Sequence, residues 1–338
     1  MKKNNTIHSY IILLAVSFCS WGFSLPEKST TSTKIVIPPM INCDFKTAIG
    51  LADSIINGNK RDPFPYILKL TVLGMRDVDF ECTLDSSLFL STCRYAGMLI
   101  DSMEQRDGKS SYSRMLAGFN KSMYSAFFLR NNMYAPGIQS GFVALDLLKE
   151  SITLDSTNTE VLFFLGLYDF ARAELRTRFW WVLFWYPGDK NRGFERLRMC
   201  SKYSAITGTA AALSLSEAYI KENMLEKADS LLTQLEILYP ESRFVLWTRI
   251  KYFEAKQNYS KAAALYEQLA ESYQKTSEGR YNYFVTKNKA AHMHTDAGNP
   301  ETAISLCNAL LKEPDLEKYK SLKKDTQRLL ERTRNGEG

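Results

Sequence analysis

From Cys43 onward, apolar residues recur at i, i+3, i+4 and i+7 almost throughout, the spacing of helices that bury one stripe. Phe45, Ile49, Ala52 and Ile56 share a face, and Gly58 ends that helix. Pro63 and Pro65 precede the next one. The same spacing predicts helices over 84–103, 112–129, 137–152 and 159–185. No stretch alternates with period two long enough to make a strand. Ile35-Val36-Ile37 is the one β-branched cluster, and proline follows it. The expected class is all-α. Upstream, residues 25–39 are rich in Ser and Thr, end in Pro38-Pro39 and lack a helical period, so residues 25–42 read as an exposed tether.

The helices repeat. Ala228 and Ala262 are 34 apart, as are Leu232 and Tyr266, and Leu235 and Leu269, while Asn223 and Gln257 share an inter-helix turn. In the first of these units Leu215, small Ser216 and Tyr219 fill first-helix slots. Ala228, Leu232, Leu235 and Pro240 follow in the second helix and its end. Small residues belong where helices touch closely, and proline follows a helix that it cannot continue. A helix–turn–helix period of this length resembles the tetratricopeptide repeat (TPR) family. Ala291, Gly298, Ala303, Cys307 and Leu310 form another match, displaced by an insertion near 276–282. Gly166, Gly193, Leu197 and Cys200 form one more, as do Gly118, Gly141, Leu145 and Leu148. Ile250 departs from the pattern, standing where a small residue is usual. The segment Gly-Asp-Lys-Asn-Arg-Gly-Phe (188–194) looks like the Gly-Asp-Arg-x-x-Gly segment of certain bacterial exported TPR proteins. It is similar, too, to one in eukaryotic adaptors linked to lipid droplets and inclusion clearance.

The resemblance implies a right-handed superhelical array of antiparallel helix pairs, a TPR-like α-solenoid. It divides the chain into a signal (1–24), the tether (25–42), a divergent helical region (43–110), the repeats (111–314) and a capping helix and tail (315–338). It implies a concave groove lined by first-helix residues. Carried over, these are Phe163, Leu167 and Phe170 in one unit, then Leu213, Glu217, Ile220 and Lys221, then Phe244, Trp247, Lys251 and Glu254, then Asn288 and His292. An aromatic stripe passing into mixed charge suits an extended or helical protein or peptide ligand. Equally, Phe163 and Phe170 would pack against the segment at 179–186, and Trp247 within its own repeat.

Composition narrows the class. With 45% hydrophobic and 24% charged residues, wholesale disorder is excluded, and 17 Gly with 10 Pro in 338 residues exclude collagen-like chains. Lys2 and Lys3, the apolar run 10–18 and small Gly22 and Ser24 resemble a secretory signal cut before Leu25. The run is short for a membrane span, although an uncleaved anchor fits the same residues. Bulky Phe18 before Cys19 argues against lipoprotein processing. Export would place the protein in the periplasm or at the outer envelope of a Gram-negative cell. Cleavage would lower the net charge of +6 by two, too weakly basic for a nucleic-acid surface. It would leave Cys43, Cys82, Cys93, Cys200 and Cys307, an odd set in an oxidising compartment. Cys82 and Cys93 are the nearest pair for a disulfide, while Cys200 and Cys307 fall in packing slots.

Candidate chemistry is sparse, and no cofactor is expected. After the signal, His292 and His294 are the only histidines; two apart on a helix, they face different sides and cannot share a metal. Gly137-Ile-Gln-Ser-Gly141 misses the nucleophile-elbow spacing by one. Gly188 and Gly193 have half of a phosphate loop, but Phe194 and Glu195 replace its Lys and Ser/Thr. The residues point to a non-catalytic scaffold in the cell envelope. One segment suggests an alternative: 179–186, with Phe179, Trp180, Trp181 and Trp185, is apolar all round and flanked by Arg176, Arg178, Lys190 and Arg192. It reads either as buried among the repeats or as a knob that meets a membrane or a partner.

Overall fold

The computed structural model describes residues 23–81, 86–178 and 189–336. The signal apart from its last two residues, Cys82 and with it the Cys82–Cys93 pairing, and the aromatic segment 179–186 lie outside the described residues. The described residues form fifteen α-helices and no strand. They are α1 (Glu27–Ile41), α2 (Phe45–Gly58), α3 (Phe64–Phe80), α4 (Ser86–Asp107), α5 (Ser111–Arg130), α6 (Tyr134–Leu154), α7 (Leu162–Arg178) and α8 (Lys190–Tyr203). After these come α9 (Gly208–Lys221), α10 (Leu225–Leu238), α11 (Arg243–Ala255), α12 (Tyr259–Gln274), α13 (Arg280–Asp296), α14 (Pro300–Leu311) and α15 (Lys320–Arg334).

Tandem antiparallel pairs make an α-solenoid: α5 with α6, α7 with α8, α9 with α10, α11 with α12 and α13 with α14, closed by α15. Four of the turns within pairs share one conformation. Asn132, Asn223, Gln257 and Gly298 all have φ between 54° and 75°. The backbone there is left-handed, which Asn and Gly adopt most readily. The small residues do what the repeat spacing requires: Ala228, Ala262, Ala291 and Ala303 are fully buried at helix contacts. Ile250 is also fully buried, so that pair accommodates a larger residue.

The expected tether over 25–42 is corrected: most of it is α1, packed on α2 and α3. Its inward face carries Ser29, Ser32, Thr33, Val36, Ile37, Met40 and Ile41, a helical stripe whose first half is hydroxylic rather than aliphatic. Those hydroxyls bond back to carbonyls one turn earlier, Thr33 Oγ1 to Ser29 O at 2.8 Å and Ser32 Oγ to Lys28 O at 2.8 Å, and so bury without an unmet donor. Pro38 and Pro39 lack the N–H groups that would reach the carbonyls of Lys34 and Ile35, but both of those residues are exposed to water.

Two regions far apart in the chain meet. Helices α1 to α5 share one continuous hydrophobic core with Ile250, Ala262, Tyr266, Leu269, Tyr273 and Ala290 of α11 to α13. A second core runs from α7 through α11, and small ones seat the last helices. The contact between the halves is ionic at its centre. Asp79, near the end of α3, accepts Arg243 Nε at 2.9 Å and the Tyr273 hydroxyl at 3.0 Å, and Asn282 Nδ2 donates to its backbone carbonyl at 3.1 Å. Arg243 lies between the Phe80 and Tyr273 rings. The insertion at 276–282 serves this contact: Glu278 pairs with Arg76 of α3, and Asn282 reaches Asp79.

Candidate binding groove

The first helices α7, α9, α11 and α13 present one residue set to a common surface because their pairs repeat. Between the end of α3 and α9, α11 and α13 lies a cleft of about 330 Å³. It gathers Leu213, Glu217, Phe244, Trp247 and Lys251, five of the expected groove residues. A second cleft between α7 and α9 gathers Leu167, Phe170, Glu217, Ile220, Lys221 and Lys251. A third, between α13 and α15, gathers Asn288 and His292. The groove is therefore not one open trough, because α3 forms a wall of its middle section.

Charges along the surface are paired from one repeat to the next. Lys251 Nζ meets Glu217 Oε1 at 2.6 Å, and Lys221 meets Glu174. These pairs are exposed, so each contributes little to stability; what they set is the local charge pattern. Trp247 is half-buried. Its Nε1 donates to the Tyr273 hydroxyl at 3.1 Å, and its ring meets Tyr266 edge-on at 5.6 Å. Both readings of this residue therefore hold in part: it is anchored in its own helix pair while it lines the cleft. Burial pushes the Tyr273 phenol well above its usual range, which keeps it a donor to Asp79.

Other expected residues serve packing. Phe170 stands edge-on to Phe194 at 5.0 Å, and Phe163 to Phe164 at 5.0 Å. Glu254 accepts the Tyr266 hydroxyl at 2.8 Å within one helix pair. His292 Nε2 lies 3.0 Å from Asp325 of α15, whereas His294 Nε2 lies 2.8 Å from Glu267 of α12, on opposite sides as the spacing requires. Among the described residues no cluster of three His, Cys, Asp or Glu could hold a metal, and no helix is long and apolar enough to cross a membrane. Cys200 and Cys307 are buried.

The residues around 189–194 have architectural jobs. Asp189 caps α8 by accepting the Arg192 N–H at 2.9 Å. Arg192 and Arg196 both bind Asp169, a buried carboxylate of α7. A Cβ on Gly193 would stand 2.9 Å from the Phe170 ring, so only glycine allows this approach.

Sequence reasoning missed Asp79, Glu81 and Asn282 as groove residues. Asp79 had a readable signal: it lies seven residues after buried Val72 on the same face of α3, an acid in an aliphatic slot. Glu81 and Asn282 had none, since only the meeting of distant helices brings them to the cleft.

The described residues thus form a TPR-like, all-α scaffold of tandem helix pairs. No protein-family model matches the chain, and no curated protein matches it. Several solved structures do. The C-terminal part of a TPR repeat-containing protein from Cytophaga hutchinsonii is 15% identical, with 82% of this chain and 94% of that one covered and a TM-score of 0.39. Yeast Tom70 is 9% identical, with 92% and 90% covered and a TM-score of 0.38. The TPR domain of P58(IPK) is 12% identical, with 91% and 97% covered and a TM-score of 0.23.

Proposed function

We propose that this chain is an exported, non-catalytic scaffold that holds a protein or peptide segment of a partner in the cell envelope. The observation that supports it best is the cleft beside Trp247, where Phe244, Trp247, Glu217 and Lys251 converge from two helix pairs. Half-buried aromatic rings beside exposed charges are the makings of a binding hot spot. Export rests on the signal-like residues 1–24. N-terminal sequencing of the secreted product should begin within a few residues of Leu25; a mature chain starting at Met1 removes that part of the reading.

The groove is tested with partners captured from envelope extract, measured on purified protein. Trp247→Ala should weaken binding by ~2 kcal/mol or more. Lys251→Glu, at an exposed position, should change affinity while leaving the melting temperature almost unaltered. Full affinity in both folded variants would rule out the groove. The segment at 179–186 would then be the candidate, with liposome flotation separating lipid from protein contact.

A further inference from the structure

The charges and acceptors of the middle cleft specify what enters it. We infer that the cleft walled by α3, α9 and α11 takes a cationic side chain, lysine or arginine, from the bound peptide; this deepens the groove reading and rests on it. Three carboxylates face or underlie the cleft, those of Asp79, Glu81 and Glu217. Two cations stand with them. Arg243 is buried and bonded to Asp79 by both Nε and Nη2, so its charge is already matched. Lys251 pairs with Glu217 through Oε1, and the Glu217 side chain is 47% exposed where it lines the cleft. Glu81 follows α3 in left-handed backbone, with φ of 49°, and makes no ion pair among the described residues. One negative charge is left in excess.

A second, independent feature lies in the cleft wall. Asn282 is 4% exposed and lines the cleft. Its amide orientation is set by the bond to the Asp79 carbonyl, which needs a donor and so takes Nδ2. That leaves Oδ1 as a buried acceptor with no donor of its own. Such an atom costs stability until a donor reaches it. Phe244 and Trp247, both half-buried, line the same cleft, and aromatic rings attract cations. Carboxylates, an unmet amide oxygen and aromatic rings all favour one ligand chemistry, a side chain that carries several N–H donors and positive charge. A carboxylate in the same place would meet the excess negative charge.

The test is selection of peptides from a random-sequence display library on the full chain, with affinities then measured by fluorescence anisotropy. The selected sequences should share Lys or Arg, and replacing that residue by Gln should weaken binding by ~10-fold or more. Glu81→Lys should weaken it by roughly 5-fold or more, and Lys251→Glu, which releases Glu217 from its ion pair, should tighten it several-fold. Affinity should fall as salt rises from about 50 to 200 mM. Glu81 and Lys251 are exposed, so these variants report on binding even where Trp247→Ala loses stability. Peptides that need Trp247 but carry no basic residue, or that ignore Glu81→Lys, would overturn the inference and leave the groove standing. Failure to select any binder, or binders indifferent to all three variants, would overturn both.

Discussion

Glu160 illustrates how single residues hold adjacent repeats in register. It is buried before α7, and its carboxylate accepts backbone N–H groups from Ala205, Ile206 and Thr207, at 2.6 to 3.1 Å, together with the Thr207 hydroxyl. It therefore caps the start of α9 from the preceding pair, where Thr207 makes no side-chain cap of its own. Glu160→Ala should cost on the order of 1–3 kcal/mol in urea unfolding, because several buried donors lose their acceptor. Burial pushes the Glu160 carboxyl above its ordinary range, against the downward pull of those donors. A raised native pKa means that the folded chain holds the proton more tightly than the unfolded one. The resulting stabilisation is fully present below the unfolded value, about 4.3, and is lost as pH rises through the native value. The stability of the wild type relative to Glu160→Gln should accordingly fall as pH is raised from about 4 to 7; a flat difference would show that the donors offset burial, and a rise that they outweigh it.

At the scale of elements, helix contacts depend on residues too small to hinder them. Ala228 is fully buried in α10, in the slot that the 34-residue period assigns to close contact. Ala228→Trp should cost roughly 1–3 kcal/mol or more, seen as a lowered melting temperature in a protein that stays strongly helical by circular dichroism. Unchanged melting would show that the site relaxes around the ring. Helix α1 shows where pattern reading stops. Its buried stripe has the right spacing, but Ser29, Ser32 and Thr33 occupy it, and adjacent prolines follow. Hydroxyls that bond their own helix behave as core residues once neighbours cover them, and nothing in local sequence announces the neighbours.

The whole molecule is held in shape by the meeting of α3 with α11 to α13. Asp79 and Arg243 are both buried, with side chains 1% and 8% exposed. Removing one partner strands the other charge, so Arg243→Met should destabilise by about 3–5 kcal/mol in urea unfolding. The double variant Asp79→Leu with Arg243→Met should recover a large part of that loss, because the buried charge has gone as well. Equal losses in single and double variants would show that the pair's bonds to Tyr273 and Asn282, rather than its charge, matter most. The same contact places Glu81 and Asn282 in the groove, so recognition and stability share this junction.

The sequence by itself determined the helices after α1, the pairing of α9 with α10 and α11 with α12, and the small residues at their contacts. Each of these depends on neighbours within a few tens of residues, and spacing reports them directly. It also placed Glu217, Lys221, Trp247 and Lys251 on one side of the array, because a repeat carries its register forward from helix to helix. Only the tertiary structure decided that residues 27–41 are helix, that α3 walls the groove, and that Asp79 neutralises Arg243. The contacts of Asp79 with Arg243 and Asn282 join residues 164 and 203 apart in the chain. They depend on the packing that sets the end of α3 against α11, α12 and α13. No local period encodes that distance, so burial of an acid in α3 becomes intelligible only when its partner arrives from the far half of the chain.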